Sequence, residues 1–192
     1  EVALVHSARG RLVEVGQGVH ALAPSRRAAK EMITAAVMLE IGGAQIRTPM
    51  PVHALLMACI HGAHHRWDRF SWVADVAGLW LRLLPAEREK ACQIARRWRV
   101  ETVLGLGLQL AAGLFGVALE GRAATLAGSS RVQKLALRVE LEKIDSDALR
   151  VPMLERLRFE RDVQDSVWRR WRMLAGWVFT PTIGDIEAVP LP

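Results

Sequence analysis

Residues 103–119, "VLGLGLQLAAGLFGVAL", contain one polar side chain, Gln109. A run of 17 such residues sits at the lower limit of the roughly 17–25 that a membrane span requires. Its four glycines and the charged residues just before it argue instead for a helix buried among other helices. No membrane association is expected. A core helix of this kind needs amphipathic neighbours, and the chain supplies them on both sides.

From Pro49 onward the pattern is helical throughout. "TPMPVHALLMACIHGAHHRW" places two prolines at a helix start and apolar residues at Leu55, Leu56, Cys59 and Ile60. "RFSWVADVAGLWLRLL" continues to Pro85, where "PAEREKACQIARRW" opens a new helix with acids early and arginines late, matching the helix dipole. The apolar run follows, then a loop near Glu120 to Arg122. "SSRVQKLALRVELEKI" and the long "MLERLRFERDVQDSVWRRWRMLAGWVF" read as two further amphipathic helices, before a proline-containing tail. The first third is mixed. "VALV" and "RLVEV" form a strand pair around "HSARG", and "SRRAAKEMITAA" is helical with Ser25 as its N-cap. "VMLEI" and "AQIR" meet at Gly42-Gly43, which suits a tight hairpin turn. The expected class is α+β, mainly α-helical: small N-terminal β-hairpins in residues 1–48, then a helical domain over 49–192.

With 51% hydrophobic and 24% charged residues, the 192-residue chain has a globular composition, which excludes a disordered one. Arginine outnumbers lysine 22 to 4 and the net charge is +6. Guanidinium forks suit carboxylates and phosphates, so the charge permits a nucleotide or nucleic-acid partner. Most arginines stand beside acids, as in "RLRFERDVQDSVWRRWR", and read as solvated helix faces. Cys59 and Cys92 lack CxxC spacing and read as buried, reduced thiols. No signal peptide is visible, and a cytoplasmic location is expected. It begins at Glu1, as a processed, trimmed or partial product would.

The densest chemistry lies in residues 61–79, "HGAHHRWDRFSWVADVAGL". On one continuous helix, His61, His65, Asp68, Trp72 and Asp75 fall along one face. A histidine pair at i, i+4 can grip a divalent metal, with Asp68 or Asp75 as a further ligand, although the glutamate base of HExxH is missing. Alternatively the histidines are hydrogen-bonded packing residues and the tryptophans supply core area. Asp75, in an otherwise apolar run, is expected to be buried and paired with His65, Arg69 or an indole N–H. It is either a structural hub or a site residue.

The same stretch, read as "LLMACIHGAHHRWDRFSWVADVAGL", resembles a bacterial nucleotidyltransferase family with the pattern "LLxLCxHGAxHxWxRLxWxxDIAxLL". The positions that meet it are His61, Gly62, Ala63, His65, Trp67, Arg69, Trp72, Asp75 and Ala77. "RLVEV" is similar to the family's acidic strand, "LEIGGAQIRTPMPVHALL" to its "V.IGG..VR.LSPEDLLL", and "FTPTIGDIEAVPLP" to its "TPTxxDWxxLPLP". The family belongs to the superfamily of DNA polymerase beta and the minimal nucleotidyltransferases. The resemblance implies transfer of a nucleotide from a nucleoside triphosphate with Mg²⁺, to an acceptor the sequence does not identify. It makes Glu14 the third catalytic carboxylate and His61, His65, Arg69 and Asp75 substrate-binding candidates. The Gly-Ser turn and paired "DxD" that precede the acidic strand are not found; the nearest word, Asp145 to Asp147, stands elsewhere. His-Trp after the acidic strand is replaced by Gly16-Gln17, and Glu14 can equally be an exposed strand acid.

This chain is therefore expected to be the C-terminal portion of a nucleotidyltransferase, catalytically incomplete alone, with its partner either a missing N-terminal segment or another protein. The rival readings are a non-enzymatic helical interaction module and a histidine-based metal hydrolase.

Overall fold

The computed structural model describes residues 2–6, 11–15, 26–139, 153–168 and 170–171. Two antiparallel strand pairs precede a helical bundle, so the fold is α+β and mainly helical. Strands β1 (Val2–His6) and β2 (Arg11–Val15) form the first pair. Their register sets Ala3 opposite Glu14. Helix α1 (Arg26–Thr34) follows. Ser25, read as its N-cap, lies outside the described residues.

Strands β3 (Val37–Ile41) and β4 (Ala44–Thr48) form the second hairpin. Gly42 and Gly43 have φ of 59° and 81°, the two positive angles that a two-residue turn of this hand demands. The register pairs Leu39 with Ile46 and Val37 with Thr48. One face is thus apolar and the other carries Glu40, Gln45 and Arg47. The apolar face is largely open to solvent, with Leu39 49% exposed. Arg47 donates to the carbonyl of Ile33 at 2.9 Å, tying the hairpin to the end of α1.

The bundle comprises α2 (Pro51–His64), α3 (Phe70–Arg82), α4 (Pro85–Trp98), α5 (Glu101–Phe115), α6 (Gly121–Ala127), α7 (Ser130–Arg138) and α8 (Met153–Val163). Pro51 and Pro85 open α2 and α4 at the first helical position, where the missing N–H costs nothing. Glu87 accepts from the N–H of Leu84 at 2.9 Å and closes the start of α4. Helix α5 is the axis: residues 102–108, 110 and 111 are buried, and it touches α2, α3, α4, α6 and α7. Fifteen residues span about 22 Å at 1.5 Å each, short of a bilayer core. No described helix is long and apolar enough to cross a membrane.

The glycines of α5 explain how so many neighbours reach it. A Cβ on Gly105 would stand 3.0 Å from the Leu126 carbonyl oxygen and 3.1 Å from Val132, so a bare backbone admits α6 and α7. On Gly107 it would stand 2.8 Å from Cys59 Sγ and 3.0 Å from Trp67, so the same device admits α2. The N-terminus of α5 has no side-chain cap of its own. Asp165, beyond α8, provides one: its carboxylate accepts the Thr102 N–H at 3.0 Å and the Thr102 hydroxyl. Arg131 holds Asp165 in place, donating to it at 3.3 Å and to the carbonyls of Asp162 and Gln164.

Three boundaries differ from the expected ones. Gly121 and Arg122, expected in a loop, instead open the short helix α6. The long final helix breaks after Val163, where the 164–166 segment turns to deliver Asp165 to α5. The third break, between His64 and Phe70, shapes the candidate site.

Candidate functional site

Helix α2 ends in a Schellman turn. The N–H of Trp67 donates to the carbonyl of Gly62 at 2.7 Å, and that of Arg66 to the carbonyl of Ala63 at 3.1 Å. Arg66 occupies the left-handed position usually given to glycine, and Trp67 is left-handed too, both at φ 59°. Non-glycine residues pay roughly 1–2 kcal/mol there. The hydrophobic contact of the motif joins Trp67 to Gly62. The Trp67 ring is fully buried over Gly62, where a Cβ would lie 2.6 and 2.7 Å from ring carbons.

This turn corrects the single-helix reading of residues 61–75. His61 and His65 belong to the end of α2, Asp68 to the turn, and Trp72 and Asp75 to α3. The contact between α2 and α3 nonetheless brings part of the set together. The rings of His61 and His65 are 4.6 Å apart by centroid, and those of His64 and His65 4.9 Å. Trp72 lies 5.1 Å from His61, edge-on, and 4.6 Å from His65. The Arg69 guanidinium stands 5.7 Å over Trp72, within cation–π range. Arg66 reaches the other way, over Phe159 of α8.

Asp75 is exposed, not buried, and has no hydrogen bond or ion pair with any described residue. The apolar neighbours in "SWVADVAGLW" belong to the inner face of α3, where Val73, Val76, Ala77 and Trp80 are buried. Its local sequence mixes two faces of one helix. Arg69 is likewise exposed and, apart from its place over Trp72, makes no hydrogen bond or ion pair with a described residue. His65 is exposed, while His61 and His64 are half-buried. The sequence reading left out His64, although its i, i+3 spacing from His61 already places it beside the pair.

Metal binding finds no support in this geometry. Among the described residues, no group of three or more His, Cys, Asp or Glu side chains is arranged to hold a metal ion. Among the described residues, neither Asp68 nor Asp75 joins the His61–His65 pair as the further ligand that was expected. The described residues offer no ligand set for Mg²⁺ either. Glu14 is placed by backbone register alone, on β2 opposite Ala3. Both thiols are inert: burial pushes Cys59 above the ordinary thiol range and Cys92 up to about 11.

A second polar cluster lies across the bundle and went unnoticed in the sequence, where His53 reads as one more residue of an apolar helix. His53 is 2% exposed, and its ring stacks on Trp98 at 5.3 Å and 12°. The Trp98 indole N–H donates to Glu31 of α1 at 3.1 Å, and Arg97 pairs with the same carboxylate. Those two hydrogen bonds and the Arg97 charge outweigh desolvation and hold the Glu31 carboxyl below its ordinary value.

A family model described as uncharacterised nucleotidyltransferase matches residues 3–116, more than half of the chain. The chain belongs to that nucleotidyltransferase family. The match runs from β1 to the end of α5, with the α2–α3 turn inside it, while α6 to α8 lie beyond. No curated protein and no solved structure matches the chain. Within this nucleotidyltransferase-family chain, the motif positions divide into two sets. Gly62, Ala63, Trp67 and Ala77 are buried in the bundle. His65, Arg69 and Asp75 are exposed, and Trp72 and His61 are half-buried.

Proposed function

We propose that the chain is the helical portion, with the third carboxylate strand, of a nucleotidyltransferase that moves a nucleotide from Mg-bound nucleoside triphosphate to an acceptor. The observation that supports this most is the division just described. Packing accounts for the glycine, the alanines and Trp67 of the motif, but it leaves the Asp75 carboxylate without a partner among the described residues and sets the exposed Arg69 guanidinium only over the Trp72 ring. An exposed guanidinium over an indole that also contacts imidazoles, with an exposed carboxylate on the same helix, suits a phosphorylated, hydroxyl-bearing ligand. Arg69 presents a guanidinium fork to phosphate oxygens, the imidazoles offer ring N–H donors, and Asp75 can accept from a sugar hydroxyl. Glu14, by family resemblance, is the acid that would assist the attacking hydroxyl. The acceptor is left open, and no step is assigned to Mg²⁺.

Calorimetric titration with Mg-bound nucleoside triphosphates tests this reading. Arg69→Ala should weaken binding about 10-fold or more, since a charge-assisted hydrogen bond contributes roughly 1.5–3 kcal/mol. The melting temperature should stay within a degree or two, because Arg69 is exposed. Equal affinity in wild type and variant would contradict it.

A non-enzymatic interaction module is the second reading, favoured by the open apolar face of β3–β4. An affinity for a protein partner that is lost in Leu39→Asp and unaffected by Arg69→Ala would support that reading against the first.

A further inference from the structure

Helix α1 is held to the bundle at few points. Ala28 is buried and Met32 packs partly against the core. Its polar anchor is Glu31, bound to Trp98 and Arg97 of α4. Directly beneath that anchor, His53 of α2 is stacked on the same Trp98. Neither ring nitrogen of His53 has a hydrogen-bond partner among the described residues, and both are buried. A buried neutral imidazole without partners is already unfavourable; a charged one is more so unless an anion reaches it.

Among the described residues, three charged groups act on this ring. Glu31 on α1 favours a proton there, while Lys90 and Arg97 on α4 oppose it. Glu31 is the one anion among them, and it is already committed to α4. A proton on His53 therefore competes with Trp98 and Arg97 for a single carboxylate.

We propose that His53 is a proton-operated release for α1. Protonation of the ring draws Glu31 away from Trp98 and Arg97, and α1 loosens from α4. Helix α1 follows the strand that carries Glu14 and precedes the β3–β4 hairpin, so its release alters how that strand is carried relative to the α2–α3 turn. That last consequence rests on the nucleotidyltransferase reading; the release itself does not.

Hydrogen exchange of the full chain, corrected for intrinsic rates, tests the release without reference to activity. As pH falls from 7.5 to 5, α1 amides in wild type should lose protection at least 10-fold while α5 keeps its own. His53→Leu should hold α1 protection constant over that range, and Glu31→Gln should lower it already at pH 7.5. Protection of α1 that is unchanged in wild type, or lost equally in His53→Leu, overturns the proposal. Should His53→Leu not fold, the wild type decides alone. The His53 ring resonances must then titrate with the same midpoint as α1 protection, and midpoints a pH unit apart overturn it.

Discussion

At the scale of single residues, the two glycines of the α2–α3 region have opposite reasons to be glycine. Gly62 lies under the Trp67 ring, whereas a Cβ on Gly78, in the middle of α3, would meet nothing within 4 Å. Gly62→Ala should therefore destabilise the fold by about 1–3 kcal/mol, the usual cost of overpacking. Gly78→Ala should stabilise it by up to about 1 kcal/mol through helix propensity. Urea denaturation of the two variants checks both signs, and a shared sign would contradict the packing of Trp67. His53 makes the residue-scale pH prediction. Burial, the largest influence on it, pushes its pKa below the ordinary 6.5. Above pH 6.5 the ring is neutral in folded and unfolded chains alike, so its contribution is constant. Below 6.5 the unfolded chain takes up a proton that the folded one refuses, and stability falls by at most about 1.4 kcal/mol per pH unit until the folded ring titrates. Denaturation at pH 7.5, 6.5 and 5.5 should show this slope in wild type and its absence in His53→Leu.

At the scale of elements, the sequence announced what depends on local pattern and hid what depends on distant partners. Helix α5 was legible because a nearly unbroken apolar run has few places to go, and the β3–β4 hairpin because two adjacent glycines favour its turn. The end of α2 was not. Helical spacing continues through "HHRWDRF", and no glycine or proline marks the stop; the turn is made by Arg66 and Trp67 in backbone angles those residues rarely adopt. The large buried ring of Trp67, seated on Gly62 and Gly107, offsets that cost. The cap of α5 was equally hidden, since Asp165 lies 63 residues from Thr102. Asp165→Ala should lower stability by about 1–2 kcal/mol, the range for a lost N-cap, and should speed amide exchange in the first turn of α5. Unchanged exchange there would show that the distant carboxylate is not the cap.

At the scale of the whole molecule, family membership covers β1 to α5, and the bundle beyond it braces that region from outside. Helix α8 touches α2 and α7, stacks Phe159 against Arg66 at the α2–α3 turn, and is followed by the cap of α5. The candidate site was half legible. His61, His65 and Arg69 were found by motif and do gather around Trp72, but Asp75 was assigned to the interior because a helix's two faces interleave in sequence. Its exposure moves it from the packing of the bundle to the surface beside the turn. Whether that surface receives a nucleotide is best read from the indole N–H of Trp72 by ¹H–¹⁵N NMR, as Mg-bound nucleoside triphosphate is added. The expected result is a saturable shift of the Trp72 signal that disappears in Arg69→Ala, with the buried Trp67 signal unmoved. Shifts confined to other tryptophans, or a Trp72 signal indifferent to nucleotide, would contradict a nucleotide site at the α2–α3 turn.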